Sequence, residues 1–183
     1  MKIGIILGSI RDGRKAEEVG KWVAAQAEAR EGVEITVIDL KAFDVPLLTS
    51  ATVPGAANRN YDSAAVTAWG KAIDAEDGFI FVTPEYNHSV PGGFKNAFDS
   101  IGPEWTGKTV AFVAYGADNG VRSVEHWRQI TANFSMVDVR AQVSLGLFTD
   151  FDRDGAFTPL ERREHELATV LDQLIAATTR EQA

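Results

Sequence analysis

Apolar residues recur along the chain with two alternating spacings. Short β-branched or alternating runs predict five β-strands, at residues 2–7, 33–40, 78–82, 109–116 and 139–146. Apolar residues three or four positions apart predict a helix after each strand, at residues 14–30, 61–75, 91–101, 120–134 and 159–178. Parallel strands joined by helices need right-handed crossovers, which place helices on both faces of one sheet. The pattern therefore predicts an α/β sandwich of three layers around a five-stranded parallel sheet.

One connection is longer than the others. Residues 46–60, PLLTSATVPGAANRN, join the second strand to the second helix and are rich in Pro, Gly and Asn. Long loops in a compact domain are usually functional or mobile. A solvated insertion and a loop beside the substrate explain this segment equally well.

Composition removes several classes of function. With 183 residues, the chain is expected to form a single domain over residues 1–183 with its own core. A formal net charge of −8 argues against a general nucleic-acid or anionic-membrane surface. The absence of cysteine excludes disulfides, thiolate catalysis and Cys-based metal centres. The histidines lie far apart and form no spaced metal motif, so we expect no metal site.

The N-terminal segment does not resemble a targeting signal. Its apolar run, residues 2–7, is too short for a secretory signal, and no small-residue cleavage site follows. No apolar run approaches the roughly 20 residues of a membrane helix. We therefore expect a cytoplasmic protein without a membrane partner.

The first candidate loop, GSIRDGRK at residues 8–15, follows the first strand. It supplies the hydroxyl of Ser9 and the charges of Arg11, Arg14 and Lys15 at the start of a helix. The helix dipole disfavours cations there, whereas an anion bound between them removes the conflict. We therefore expect a phosphate site rather than a solvated basic loop. The loop has neither GxGxxG nor GxxxxGK[ST], so neither the Rossmann nor the P-loop motif applies.

The second loop lies in TPEYNHSVPGGFKNAFD, residues 83–99. Its two prolines stiffen the turn and so preorganise it for a ligand. Backbone amides of residues 85–87 could meet the edge of a flat heterocycle, and Tyr86 could pack on its face. The alternative is a rigid turn in which Ser89 caps the following helix.

The third loop, AYGADNGVR at residues 114–122, follows the fourth strand. Gly116 and Gly120 allow the backbone to approach a ligand closely. Alone this signal is weak, but ligands of open parallel sheets bind at the carboxyl ends of the strands, where all three loops begin.

Together the three loops resemble the NADPH-dependent FMN reductase family. The matching segments are GSIRxGR, PEYNHSVPGxxKNAxD and YGxxxGxR, and the similarity runs from about residue 2 to 145. The resemblance implies a flavodoxin-like fold with strand order 2-1-3-4-5. It also implies FMN as cofactor and NAD(P)H as co-substrate.

The resemblance also implies a set of binding residues and no catalytic acid or base. In the family the first loop holds the FMN phosphate, which corresponds here to Ser9, Arg11 and Arg14. The second loop lies along the isoalloxazine and ribityl groups, which corresponds to Pro84, Glu85, Tyr86, Asn87 and Ser89. The third loop closes the far edge of the ring, which corresponds to Gly116 and Ala117.

The sequence departs from the family pattern at several positions. Many members have Asn at the position of Ala16 and Ser at that of Arg14. Ala117 and Val121 replace glycines common in the third loop, and Gly93 replaces Ala or Leu in the second. These changes bear on affinity and substrate access more than on flavin binding itself.

Three classes of function follow. The first is an FMN-dependent NAD(P)H oxidoreductase that passes electrons to a small acceptor: a quinone, an azo or nitro compound, a metal oxyanion or free flavin. The second is a flavodoxin-type electron carrier without NAD(P)H turnover, although its phosphate loop would lack arginine. The third is a regulatory protein with a decayed site. Relatives also suggest a homodimer or homotetramer, with Trp105 and the helix at 91–101 at the contact. The alternative is that Trp105 simply packs against the edge of strand four.

A last motif points to calcium. DFDRDGAFTPLE, residues 150–161, matches the pattern of a calcium-binding loop, with Asp150, Asp152, Asp154 and Glu161 at ligand positions. However, residues 158–161, TPLE, also read as a helix capping box with Pro159 at the first helical position. A strand rather than a helix precedes the loop, and it has no partner loop, so we favour the capping box.

Overall fold

The five apolar runs form the strands of one sheet. The structure, a computed structural model, describes residues 1–181. The strands are β1 (Lys2–Leu7), β2 (Glu34–Asp39), β3 (Gly78–Pro84), β4 (Thr109–Gly116) and β5 (Val137–Gly146). They pair in parallel in the order β2-β1-β3-β4-β5. The predicted parallel sheet and the order of the flavodoxin-like fold are both confirmed.

Six α-helices and two short 3₁₀ turns accompany the sheet. The helices are α1 (Ala16–Glu28), α2 (Leu40–Phe43), α3 (Ala64–Asp74), α4 (Gly92–Asp99), α5 (Val121–Ala132) and α6 (Arg162–Glu181), with 3₁₀ turns at Pro54–Ala56 and Pro103–Trp105. Five of the helices occupy the predicted segments with shorter or shifted ends. The short helix α2, which the periodicity did not predict, is capped by the side chain of Asp39, which accepts a hydrogen bond from the Lys41 N–H.

Two apolar cores lie on opposite faces of the sheet. On one face α1 and α6 pack against alternate residues of the strands, such as Ile5 and Val113. On the other face α3, α4 and α5 pack an aromatic cluster around Phe81. Because successive strand residues point to opposite faces, the fully buried strands β3 and β4 serve both cores. The predicted helices on both faces are confirmed.

Trp105 belongs to the second core rather than to an exposed contact. The side chain is fully buried and stacks on Phe98, with ring centroids 4.6 Å apart. Its indole N–H donates to the Phe98 carbonyl at 3.0 Å. Trp105 is therefore too buried for the suggested subunit contact. It packs within the chain, as in the alternative, but the aromatic rings against it lie on α3, α4 and β3 rather than on β4.

The carboxyl ends of the strands form the edge that carries the candidate loops. The amino-terminal edge of the sheet lies near the C-terminal end of α6. There the hydroxyls of Thr178 on α6 and of Thr109 at the start of β4 are hydrogen-bonded at 2.6 Å. Among residues 1–181, no helix combines the length and apolarity that a membrane crossing requires.

Candidate functional site

The three candidate loops lie side by side. β1, β3 and β4 are neighbours in the sheet, so the loops that follow them start from one edge. Glu85 N–H donates to the Tyr115 carbonyl at 2.9 Å, and Gly8 N–H donates to the Val82 carbonyl at 2.9 Å. The ten residues predicted to bind a cofactor are therefore all at the carboxyl edge, although their contacts with a ligand stay predictions.

Arg14 holds the first loop to the end of β2. Its guanidinium donates to both carboxylate oxygens of Asp39, at 2.7 and 2.6 Å, and to the Ser9 carbonyl at 2.7 Å. Glu17 accepts from Nε and Nη2, so all five N–H donors of Arg14 are engaged. The hydrogen bonds to Asp39 raise the pKa of Arg14. As the structure stands, a phosphate could bind Arg14 only by displacing one of these acceptors.

Arg11, in contrast, extends from the loop into solvent. It makes no ion pair within residues 1–181, and its guanidinium lies 5.6 Å from the centroid of the Tyr86 ring. None of the backbone N–H groups of residues 9–14 donates a hydrogen bond within the described chain. An exposed cation beside several open N–H donors, just ahead of α1, favours an anion.

The second loop is a tight hairpin. Tyr86 N–H donates to the Ser89 carbonyl at 3.0 Å, and Ser89 N–H donates back to the Tyr86 carbonyl at 3.1 Å. The two central residues, Asn87 and His88, have φ values of 48° and 71°. Positive φ at both central positions is typical of a type I′ turn, which is disfavoured for residues other than glycine. Such strained turns concentrate at functional sites.

Ser89 does not cap the following helix. Helix α4 has Pro91 at its N-cap and no side-chain cap, so the alternative raised by the sequence is wrong. The Ser89 hydroxyl instead lies 2.8 Å from Nδ1 of His126 on α5. This bond ties the hairpin to the helix that follows the third loop.

Glu85 and Gly116 join the second loop to the third. The nearly buried Glu85 carboxylate accepts from Arg122 Nε at 2.7 Å and from the Arg122 backbone N–H at 3.1 Å. A Cβ at Gly116 would lie 3.1 Å from the Cβ of Glu85. Glycine is therefore what allows the two loops to touch, and Ala117 projects from the turn beyond it as an exposed residue.

The Tyr86 hydroxyl connects the second loop to the first. The Ser9 and Tyr86 hydroxyls are hydrogen-bonded at 2.7 Å, and Ser9 is fully buried. The Tyr115 hydroxyl is also buried but has no hydrogen-bond partner in the described residues. Burial, and then the nearby Tyr86 hydroxyl, raise the pKa of Tyr115, so it stays protonated at neutral pH.

The loop that matched a calcium motif is folded differently. Asp150 is buried and points inward, where its two oxygens accept from Arg163 at 3.0 Å each. Asp152 accepts from the backbone N–H groups of Asp154 and Ala156. Within residues 1–181, no three His, Asp or Glu side chains are grouped so that they could hold a metal ion.

The capping-box prediction for the same loop is wrong. Helix α6 begins at Arg162, three residues beyond Pro159. Thr158 donates its backbone N–H to the Asp150 carbonyl instead. The loop reaches back to α1, where Phe157 N–H donates to Glu18 at 3.0 Å, and so it braces the helix that follows the first loop.

Comparison with known proteins identifies the family. The sequence profile of NADPH-dependent FMN reductases matches residues 1–150. The chain belongs to this family. The predicted resemblance to NADPH-dependent FMN reductases is therefore confirmed. The matched residues 1–150 of this chain contain all three loops.

Individual relatives carry related names. A NAD(P)H-dependent FMN reductase of a Nectria species is 35% identical over 126 residues, 67% of this chain and 63% of that protein. The matched part is thus less than two thirds of that relative. A NAD(P)H:quinone oxidoreductase of Solanum tuberosum is 31% identical over 179 residues, 93% of this chain and 90% of that protein.

A solved structure supports the fold. The flavoenzyme NAD(P)H:(acceptor) oxidoreductase FerB from Paracoccus denitrificans superposes with a TM-score of 0.72 at 18% identity. The match covers 96% of this chain and 98% of that chain. At this level of identity the similarity speaks for the fold alone.

The residues of the edge fit the FMN of this family. The buried Tyr115 hydroxyl lacks an acceptor, and the N–H groups of residues 9–14 lack acceptors too. A phosphate monoester supplies several anionic oxygens at such a place. Four residues that shape the site were not predicted from the sequence: Tyr115, Asp39, Arg122 and His126. Of these, only Tyr115 and Arg122 belong to a family motif, as the Y and the final R of YGxxxGxR.

Proposed function

We propose that this chain is an FMN-dependent NAD(P)H oxidoreductase that delivers electrons to a small acceptor. The observation that carries the proposal is the meeting of three loops at one edge, with an exposed Arg11, open backbone N–H groups and an orphaned hydroxyl. The names of the family and of its relatives supply the reaction class. FMN, when bound, would accept hydride from the nicotinamide and pass an electron pair on to the acceptor.

The side chains bind and orient rather than transfer protons. Arg11 and the amides of residues 9–14 would bind the phosphate. The hairpin, held by Arg122 through Glu85 and by His126 through Ser89, would form a rigid wall for the ring. A wall whose bonds are made before the cofactor arrives lowers the entropy lost on binding.

The test is reduction of the flavin by a nicotinamide. Protein loaded with FMN is mixed anaerobically with NADPH, and in parallel with NADH, in a stopped-flow instrument. We expect the visible absorbance of the flavin to bleach and then to return when a quinone is added. Because both substrates would use one opening, steady-state kinetics should be ping-pong. If the flavin stays oxidised with both nicotinamides, the oxidoreductase proposal is contradicted, and an electron carrier of the flavodoxin type becomes the better explanation.

The long loop between α2 and α3 is well placed to select the acceptor. The side-chain amide of Asn96 on α4 donates to the Pro46 carbonyl at 2.8 Å and accepts from the Leu48 N–H at 2.9 Å. Leu47 and Ile10 of the first loop both line a cavity of about 540 Å³. Of the two explanations for this loop, we therefore propose the one in which it lies beside the substrate.

Replacing Leu47 by alanine should weaken turnover of apolar acceptors. Leu47 is 78% exposed, so a bound quinone would bury part of it. Losing about 1 kcal/mol of apolar contact lowers kcat/KM about fivefold. The rate with ferricyanide, a hydrophilic acceptor, should not change. Val53→Ala on the same loop is the control, since Val53 lines a different cavity. Equal losses with both acceptors would contradict the assignment.

We also propose that the protein acts in the cytoplasm as a homodimer or homotetramer. Leu48 and Val53 expose apolar surface on one loop, which suits a contact between copies. Light scattering coupled to size-exclusion chromatography measures the assembly directly, and a monomer at all concentrations would contradict this proposal.

A further inference from the structure

By its position in the sheet, β5 is open to pairing with another chain. It is the last strand in the order β2-β1-β3-β4-β5, so one of its sides has no neighbouring strand. Among residues 1–181 it is also the longest strand, with ten residues from Val137 to Gly146. The free N–H and C=O groups of a long edge strand are a template for another strand. Proteins that avoid such pairing occupy or interrupt these groups.

A bulge interrupts β5 near its middle. Val110 pairs with Asp138 and Phe112 pairs with Gln142, so the single residue between them on β4 faces three residues on β5. A bulge disrupts the ladder locally and leaves its extra residues unpaired. Residues 139–141 therefore need hydrogen-bond partners from outside the sheet.

Arg128 provides these partners for the carbonyl groups of the bulge. It lies on α5, and its guanidinium donates to the Val139 carbonyl at 2.9 Å and to the Arg140 carbonyl at 3.1 Å. The same guanidinium forms an ion pair with Asp138, and its carbon atom lies 5.3 Å from the centroid of the Phe112 ring. The rigid fork of donors in arginine allows one side chain to hold two neighbouring carbonyls.

Gln173 bonds to the same bulge from the opposite face of the sheet. It lies on α6, which packs against the first core, whereas α5 packs against the second. Its side-chain oxygen accepts the Ala141 backbone N–H at 2.9 Å. A groove of about 810 Å³, lined by α5, β5 and α6, leaves this edge accessible from solvent. A strand that approached through the groove would therefore find residues 139–141 already hydrogen-bonded to side chains.

We propose that Arg128 and Gln173 form a guard that prevents a second copy of this chain from adding to the sheet at β5. Without the guard, two copies related by a twofold axis would be able to pair β5 against β5 in antiparallel fashion. The guard thus confines contacts between copies to other surfaces. The inference is independent of the proposed function, because none of the three loops contributes to it.

Arg128→Ala in the full-length protein opens the edge from the side of α5. Size-exclusion chromatography coupled to light scattering gives the mass at several protein concentrations. We expect the mass to rise with concentration to about twice that of the wild type, as pairing across a twofold axis requires. Gln173→Ala opens the edge from the side of α6, should have the same effect, and provides the test if Arg128→Ala does not fold. Wild-type mass at every concentration in the folded variants would overturn the proposal.

Arg140→Ala is the matched control for charge. Arg140 is exposed on the same strand, and within residues 1–181 its guanidinium makes no ion pair. This variant removes the same charge but keeps the guard, so its mass should equal that of the wild type. Association as strong as that of Arg128→Ala would assign the effect to net charge and overturn the proposal.

A second substitution separates strand pairing from aggregation of unfolded protein. Arg128→Ala is combined with Gln142→Lys, because a lysine on an edge strand blocks the approach of another strand. The double variant should return to the wild-type mass. Association that persists in it would not arise from pairing at β5 and would overturn the proposal.

Discussion

Replacing Asp150 by alanine should lower the free energy of unfolding by about 3–5 kcal/mol, the usual cost of removing one partner from a buried ion pair. The carboxylate is fully buried, and Arg163, 5% exposed, would keep only the more exposed Glu166 as a charged partner. Asp150 also accepts the backbone N–H groups of Gly146, at 2.9 Å, and Leu160, at 3.1 Å. The variant would therefore loosen both ends of the loop that braces α1. Urea titration measures the loss as a lower midpoint.

Asp154→Ala is the control for this prediction. Asp154 occupies another ligand position of the same calcium motif, but it is exposed and its substitution should change the midpoint little. Adding calcium should leave the thermal midpoint of the wild type unchanged, because the Asp150 oxygens are already occupied by internal donors. A calcium-dependent rise in that midpoint, absent from both variants, would restore the metal interpretation.

The contribution of Asp150 should also depend on pH in a defined direction. Burial alone would raise the pKa of Asp150, but hydrogen bonds from Arg163, Gly146, Leu160 and Thr149 outweigh it and hold the pKa below its ordinary value. The stabilisation is thus complete above the ordinary Asp pKa of about 3.9 and is lost as pH falls through the lower, folded-state pKa. The difference between wild type and Asp150→Ala should be constant from about pH 7 to 5 and should shrink below about pH 4.

The loop around Asp150 shows why spacing alone was ambiguous. The pattern D-x-D-x-D-G was read correctly, and Gly155 does adopt a positive φ of 87°. The motif does not include Arg163, whose ion pair holds the first carboxylate, that of Asp150, in the protein interior. Thr158 bonds through its backbone N–H to the Asp150 carbonyl, and α6 starts only at Arg162, so no capping box forms.

The sheet could be predicted because its signal is local. Strands buried on both faces, such as β3 and β4, appear as continuous apolar runs, and the crossover rule then leaves few topologies. The pattern missed α2 because four residues are too few to show a helical period. Segment ends also shifted, since caps such as Asp39 depend on hydrogen bonds rather than on apolar spacing.

The position of the candidate site could be predicted from the sequence, but the hydrogen bonds among its side chains could not. Parallel strands have their carboxyl ends at one edge of the sheet, so the three loops that follow them were expected to lie together. Which arginine meets solvent was not predictable, because it depends on a carboxylate 25 residues away, Asp39. The two arginines of the first loop, equivalent in the motif, therefore have different surroundings in the fold.

Replacing Arg11 by alanine should raise the Kd for FMN ten- to a hundredfold. A hydrogen bond from a guanidinium to a phosphate contributes about 1.5–3 kcal/mol, and Arg11 is the arginine of the first loop that has no ion pair within residues 1–181. Titration of apo-protein with FMN measures the change, and riboflavin should bind as before. Because Arg11 is exposed, higher salt should reduce the difference between variant and wild type.

The comparison with Arg180→Ala separates a specific contact from a change in overall charge. Arg180 lies near the end of α6, close to Thr178 and hence to the amino-terminal edge of the sheet. Its loss alters the net charge by the same amount but should leave FMN affinity unchanged. If both variants weaken FMN equally, the effect is long-range electrostatics. If Arg11→Ala also weakens riboflavin, the first loop has lost its conformation. If neither affinity changes, the phosphate binds elsewhere. Only a loss confined to FMN and to Arg11 supports a direct contact between this guanidinium and the phosphate.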